Sequence, residues 1–345
     1  MKFINQLKNY IPVMVLILTY SVEARSDINV VTSIKPLHSI ASNIMDGVSE
    51  PTLLVEGTTS PHSYIMKPSH VEAINNADLI FFVSDEHLET FLAKPLSNVN
   101  NNAKIVELMD NEDLFVLKFR EKNIYLGDDH DDHDDHDDHD DHDDHDDHDD
   151  HDDHDEDHDG HDDHDDHDDH AGHEGHNHGE FDAHIWLDPM NAKEMVHEIA
   201  HELGHLDPTN KDKYEANADA TILALDQLIE DVSKDINKDA KFVVFHDAYQ
   251  YFEERFGVRA EGALTLNTDV LPGAKQIDEI QDVIKDRGVN CIFSEPQFNP
   301  KIITTIAKDT NIKTGVFDPL GANINSDKDL YFKLISNLGS ELKGC

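Results

Sequence analysis

The chain has 345 residues, 74 acidic and 27 basic side chains, 26 histidines and a formal net charge of −47. That length allows one large or two medium domains with real cores. The charge excludes a nucleic-acid binder, which needs a basic stripe to meet phosphates, and makes cations the natural partners.

The first segment carries Lys2 and Lys8, then the apolar run IPVMVLILTYSV, then Val22 and Ala24 at the −3 and −1 positions of a cleavage site. This layout predicts a secretory signal peptide over 1–24, cut after Ala24. The apolar core is short for a membrane span, and no cysteine follows it to take a lipid anchor. The mature protein is therefore expected free in an exported compartment. The two cysteines are Cys291 and Cys345. In an oxidising compartment an even pair suggests one disulfide, with two free thiols as the alternative.

Strand-like and helix-like runs then alternate. Strands are predicted at 28–34, 52–57, 77–83 and 103–108, with helices at 36–47 and 68–77 between them. Pro36 stands near the start of the first helix and Gly47 at its end. Strand, helix, strand at these lengths means right-handed crossovers and a parallel sheet.

Residues 128–180 interrupt this order. They open with nine tandem copies of Asp-Asp-His and hold 30 of the acidic side chains, 17 of the histidines and none of the basic residues. Without them 44 acidic side chains face 27 basic ones, a net of −17, ordinary for an acidic soluble protein. The segment has no apolar surface to bury and repels itself, so a disordered surface excursion is expected. A histidine every third residue lets a flexible chain gather several imidazoles on one borderline-soft ion such as Zn²⁺, while carboxylates add attraction. Each such site must order the chain, so it is weaker than a preformed cleft. The reading is a zinc collector; a merely solubilising acidic tract is the alternative.

Beyond it, Asp188 as N-cap and Pro189 at the first turn start a helix over about 189–205. Residues 207–238 carry Tyr214, Ala218, Thr221, Ile222, Leu225, Leu228, Ile229, Val232 and Ile236 on one stripe, which predicts a long helix of some seven turns. The alternation then restarts, with strands at 241–249, 258–264, 289–296 and 313–320 and helices at 273–287, 300–310 and 327–343. The fold class that results is α/β: two lobes, each a parallel sheet flanked by helices, joined by one long rigid helix. The division is 25–206, 207–238 and 239–345, with the acidic insertion inside the first lobe.

Nine histidines lie outside the repeat. His62 follows the strand 52–57, His184 precedes a helix, His246 ends a strand, and Asp318 ends another. In open α/β sheets ligands bind beyond the carboxyl ends of the strands, so these four side chains, two per half, can converge in the cleft. Three imidazoles and a carboxylate suit tetrahedral Zn²⁺; manganese prefers more carboxylate oxygen. For any one histidine a structural, hydrogen-bonded role is the competing reading. His38, His70 and His87 are read that way, the last two on polar helical faces.

His197, Glu198 and His201 spell HExxH, the zinc-protease pattern in which two histidines hold the metal and the glutamate is the base. The face shared with Glu194, Glu198 and Glu202 is a solvated one, and no Met-turn is evident. A weak accessory metal site at His197 and His201 is a smaller possibility.

The blocks IKPLHSI, SPHSYIMKPSHVEAINNADLIF, AHIWLDPMNA, FVVFHDAYQYFEERFG, LPGAKQIDEIQ, SEPQFNP and FDPLG, in this order over nearly all of the mature chain, resemble the periplasmic zinc-binding components of zinc ABC importers, the ZnuA type. The resemblance implies two α/β lobes bridged by a helix, metal ligands at His62, His184 and His246, and a carboxylate approaching from Asp318. It also implies a paired Cys291 and Cys345, a monomer, and delivery of zinc to a membrane permease with its ATPase, through peripheral contact with that membrane complex only. Some members carry Glu directly before the first histidine; Pro61 stands there, which leaves the fourth ligand between Asp318 and water. The expected function is a periplasmic, non-enzymatic, high-affinity zinc receptor. The alternatives are the HExxH protease, a zinc-storage protein, and a manganese or adhesion-type receptor of the same fold.

Overall fold

The computed structural model describes residues 28–99, 103–125, 180–266, 268 and 271–345. The signal peptide expected at 1–24 and all of the acidic stretch except Glu180 lie outside the described residues.

Two four-stranded sheets, all parallel, form the frame. The first holds β1 (Val30–Thr32), β2 (Thr52–Leu53), β3 (Leu79–Phe82) and β4 (Lys104–Glu107), in spatial order β2-β1-β3-β4. Helices α1 (Lys35–Ile44), α2 (Pro68–Asn75) and α3 (Ala93–Leu96) make its crossovers. β3 is buried at every position, as a strand covered on both faces must be, and its Leu79-Ile80-Phe81-Phe82 run shows no polar alternation.

Next come α4 (Pro189–Leu206) and α5 (Lys211–Asp235). The second sheet holds β5 (Phe242–His246), β6 (Gly262–Thr265), β7 (Cys291–Ser294) and β8 (Lys313–Val316), in spatial order β6-β5-β7-β8. Helices α6 (Gln250–Phe256), α7 (Ala274–Asp286) and α8 (Lys301–Thr310) link its strands, and α9 (Leu330–Lys343) follows them. In both sheets the second strand in sequence lies outside the first, so the same winding is used twice. Among the described residues no helix is long and apolar enough to cross a membrane.

The long helix is shorter than its stripe suggested. Asp207 closes α4, its N–H donating to Leu203 O, and its carboxylate accepts from Asn210 and from Tyr214 Oη at 3.1 Å. Pro208, Thr209 and Asn210 therefore form the reversal, and α5 begins at Lys211. Its 25 residues extend about 37 Å at 1.5 Å each. Tyr214, Ala218, Thr221, Leu225, Leu228 and Val232 are buried, whereas Ile222 and Ile229 of the same stripe are only partly so, and the helix packs on α1, α4 and α9. Gly339 of α9 permits the last contact, since a Cβ there would come within 2.9 Å of Val232 Cγ1.

The strand predicted at 241–249 stops at His246, and the chain turns into α6, a helix the sequence pattern concealed among aromatics. Gly257, at φ 64°, ends it in the left-handed region that favours glycine. The strand expected at 258–264 is shifted to Gly262–Thr265.

Several buried bonds join the two halves. The Lys35 ammonium is 4% exposed and donates to the carbonyls of Gly321 (2.6 Å), Ala322 (3.1 Å) and Ile324 (2.7 Å). Trp186 Nε1 donates to Pro319 O at 2.7 Å, and Tyr331 Oη donates to Trp186 O at 2.7 Å. Asp188, the N-cap of α4, accepts from Met190 N and takes a two-pronged grip from Arg255 of α6 at 2.6 and 2.8 Å. Cys291 and Cys345 are disulfide-bonded, which ties β7 to the residues after α9.

Candidate metal centre

His62 sits in a single 3₁₀ turn, Pro61–Ser63, whose start is capped by Ser60 Oγ accepting from His62 N at 3.3 Å. His184 opens a second such turn, Ile185–Leu187, just ahead of α4. His246 is the last residue of β5, at the carboxyl end of a central strand. Two come from the first half and one from the second, and the three meet.

His184 Nε2 lies 3.4 Å from His62 Nε2 and 3.3 Å from His246 Nε2. Two nitrogens about 2.05 Å from one tetrahedral Zn²⁺ stand about 3.3–3.4 Å apart, so the observed spacing is that of ligands on a shared ion. The pocket that the three rings line offers about 10 Å³, room for one ion or water.

The far sides of two rings fix their protonation. His184 Nδ1 is 2.6 Å from Asp182 Oδ1, which also accepts from His184 N at 3.0 Å. His246 Nδ1 is 2.7 Å from both oxygens of Glu295, and His246 N donates to Oε1 at 3.2 Å. Asp182 is 0% exposed and Glu295 is 2% exposed. Facing a carboxylate, each Nδ1 must carry a proton, so each Nε2 presents a lone pair to the centre. Lone pairs converging at this distance repel unless a cation or proton lies among them. Burial opposes protonation of His246, but the neighbouring Glu295 outweighs it and raises the imidazole above its ordinary range.

Support continues outward. Asp182 Oδ2 accepts from Gln250 Nε2 at 3.0 Å, and Asp182 O accepts from Tyr251 Oη at 2.6 Å. Asp182 N donates to Leu117 O at 2.9 Å, so the segment leading into the acidic stretch pairs with the one leaving it. Three residues later Arg120 bridges Asp247 (2.8 Å) and Glu253 (2.6 Å) and lies 4.0 Å from the centre of the Tyr125 ring. Burial pushes the Asp247 carboxyl up to about 6, even with Arg120 opposing. Residues 123–125 then lie antiparallel along β6, with Ala263 N donating to Asn123 O at 2.8 Å. Gly262 allows this approach, since a Cβ there would stand 2.6 Å from Asn123 O.

Asp318 does not join the three histidines, which alone among the described residues form a group with ligand atoms within 4.8 Å of one another. Its carboxylate is engaged elsewhere: Oδ1 accepts from Gln297 Nε2 and Leu320 N, and Oδ2 accepts from Ala322 N at 2.6 Å. Asp318 thus shapes the loop whose carbonyls receive Lys35. His70 is not on a polar face; it is 7% exposed, with Nδ1 2.7 Å from Tyr64 Oη, which donates to Leu54 O. That chain steadies the loop carrying His62. His87 sits in a turn rather than on a helix. His197 and His201 are exposed on α4, apart from the cleft.

Asp182 and Glu295 were missed as site residues. Asp182 had a local signal, a carboxylate two residues ahead of a candidate histidine and able to bond both its backbone and its ring. Glu295 follows β7, the strand that adjoins β5, so once the sheet order is known its carboxyl falls beside His246.

A family model described as ZnuA, zinc-uptake complex component A periplasmic, matches residues 30–345. The high-affinity zinc uptake system protein of Brucella abortus (strain 2308) is 49% identical over 318 residues, covering 92% of this chain and 91% of that protein. The counterpart from Haemophilus influenzae is 40% identical over 321 residues, covering 92% of each. Among solved structures, one described as a crystal structure of ZnuA covers 92% of this chain and 98% of that one, at TM-score 0.67 and 20% identity. The manganese-bound periplasmic metal-binding protein of Candidatus Liberibacter asiaticus covers 92% and 98%, at TM-score 0.66 and 20% identity. Likeness at that identity shows a shared fold.

Proposed function

The chain belongs to the ZnuA family of zinc-uptake components, and from that premise we propose that it captures Zn²⁺ between its lobes and delivers the ion to an ABC-type permease and its ATPase. His62, His184 and His246 are the protein ligands. Water or a group outside the described residues completes the tetrahedron, because both oxygens of Asp318 are already engaged. Asp182 and Glu295 hold two of the imidazoles in the tautomer that offers Nε2 to the ion. Zinc here is cargo, and the chain performs no bond-making chemistry.

The observation that carries this reading is the pair of Nε2 to Nε2 distances, 3.4 and 3.3 Å, between rings whose other nitrogens face buried carboxylates. Three imidazoles favour zinc over manganese, a harder ion that prefers carboxylate oxygen. The protease alternative is not favoured, since the HExxH histidines are exposed on α4 and form no group with a third ligand among the described residues. A storage role is likewise not favoured, because the relatives matched over 92% of the chain are uptake proteins.

The signal segment is removed after Ala24, and the protein acts as an unanchored periplasmic monomer that touches the membrane only through the permease complex. Its working divisions are a first lobe to residue 206, the linking segment 207–238 and a second lobe to 345. The stretch 128–180 serves as a collector that raises the local zinc supply.

The test is metal titration of the purified chain, followed through the fluorescence of Trp186. This single tryptophan lies with its ring centre 5.3 Å from that of His184. One tight event that quenches or shifts Trp186, lost in His184→Ala and in His246→Ala, supports the reading. Tight binding that survives both substitutions overturns it.

A further inference from the structure

Helix α4 presents His197, His201 and His205 one turn apart along one exposed face. None of them belongs to the cleft group, and their ligand atoms do not yet lie within 4.8 Å of one another and of a third ligand, so an ion would have to draw these side chains together. α5 returns beside α4, fixed at two points. Lys193 Nζ meets Asp226 Oδ1 at 2.8 Å, and at the other end the closeness of Gly204 to Lys211 leaves only 3.2 Å between a would-be Cβ and Lys211 Cγ. Between those points His197 and His201 of α4 and Glu215 and Asp219 of α5 line one groove. The groove encloses about 230 Å³ and is lined by the three histidines, Lys211, Glu215 and Asp219. The rings of His201 and His205 already meet, with centroids 4.4 Å apart and planes at 73°.

We propose that His201 and His205, with Glu215 from α5, form a second site for a borderline divalent cation of the Zn²⁺ class, open to water on its outer side. His197 and Asp219 form the next rung, through which the ion can exchange partners. Two imidazoles at i and i+4 span one helical turn, the spacing at which both can reach a single ion. One carboxylate opposite supplies charge without shifting preference to the hard ions, which want an all-oxygen shell. The Lys211–Glu215 ion pair must give way. At 3.6 Å, with both side chains more than half exposed, it opposes this only weakly. The side chains are unrestrained on the surface, so the site is weaker than the cleft, whose imidazoles are buried and braced. It shares no ligand with the cleft and stands whether or not the cleft carries zinc to a permease.

The site can be read locally in the full chain. Trypsin cuts after Lys193 and Lys211, releasing residues 194–211, which contain these three histidines and none from the acidic repeat. The protein is labelled with diethylpyrocarbonate across a zinc titration, and acylation of this peptide is mapped by mass spectrometry. Trp186 fluorescence in the same samples reports the cleft and the integrity of the fold. Zinc is expected to protect His201 and His205. Glu215→Gln should raise the zinc needed for half-protection by roughly tenfold, and His201→Ala should leave His205 labelled at every zinc level. Labelling of 194–211 that ignores zinc while Trp186 responds overturns the proposal. So does protection of His205 that persists in His201→Ala, or half-protection unmoved in Glu215→Gln.

Discussion

Replacing Glu295 with Gln tests whether the buried carboxylate, and not merely a bonding partner, prepares His246 for metal. Both Glu295 oxygens lie 2.7 Å from His246 Nδ1, and the residue is 2% exposed. Across the imidazole to an ion on Nε2, the carboxylate charge sits roughly 6.5 Å from the metal. At an effective dielectric of about 20, one charge against a divalent ion at that distance is worth about 5 kcal/mol, which is an upper bound. Losing such an outer partner ordinarily weakens metal binding by about 10- to 100-fold, or about 1.4–2.8 kcal/mol.

Gln keeps one oxygen to accept from Nδ1–H, so the lower half of that range measures charge and the upper half includes loss of the tautomer lock. The assay is competition against a chelator of known affinity, with Trp186 as reporter. The metal-free protein should be less stable than wild type wherever His246 is protonated, because removing the Glu295 charge strips that buried imidazolium of its partner. A zinc affinity within about twofold of wild type, in a folded protein, would refute the argument that the Glu295 charge tunes the site.

Other perturbations follow from the same structure. Reducing the Cys291–Cys345 bond, or replacing both residues with Ser, releases a loop with sequence separation 54. That should lower stability by about 4 kcal/mol, read as a drop in denaturant midpoint, with zinc affinity retained. Glu89 is fully buried and accepts from Ser33 Oγ, Val83 N and Ser84 N; burial nonetheless pushes its carboxyl up to about 7. An acid with its folded pKa raised stabilises through its proton. That contribution is complete below about pH 4.5 and is lost as pH rises through about 7, amounting to about 3 kcal/mol. Glu89→Gln should therefore flatten the fall in unfolding free energy between pH 5 and 8. Deleting 128–179 should lower the number of zinc ions bound in calorimetry yet keep the tight event; an unchanged count would remove the collector role.

The convergence of His62, His184 and His246 was legible because each sits where chain direction changes at a strand or helix end, and imidazole at such places has few structural duties. Asp318 was placed with them for the same reason. It too ends a strand segment, but its oxygens serve backbone amides of the loop it begins, a use that sequence position does not distinguish from ligation. Periodicity gave α5 from its buried stripe but not its ends, because Asp207 and Asn210 close the turn through side chains. α6 was hidden because aromatics recur along FHDAYQYF, and seven residues are too few for a helical period to show. The bridge from 117 to 125 was invisible for a different reason. Arg120 finds Asp247 at a separation of 127 residues and Tyr125 finds Glu261 at 136, and neither bond leaves a local pattern.

These bonds bear on how an ion can leave. Rotating the lobes apart would break three bonds from the Lys35 ammonium and expose the Trp186–Pro319 and Tyr331–Trp186 contacts. Bonds to a buried charge count for about 1.5–3 kcal/mol each and neutral ones about 1, so wide opening costs several kcal/mol before any metal bond is touched. Arg120 adds to this, since it runs from the first half onto Asp247 and Glu253 of the second. The three imidazoles themselves are unequal. His184 and His246 are each 4% exposed and braced by carboxylates, whereas His62 is half-buried in one 3₁₀ turn whose local cap is Ser60. Beside it Ile65 is 86% exposed, an apolar side chain with no core to hold it. The lowest-cost departure from the closed site is thus a small excursion of the loop around Pro61–Ser63 that lifts one imidazole and leaves two in place. A receptor built this way trades wide hinge motion for a site that is ready before the ion arrives.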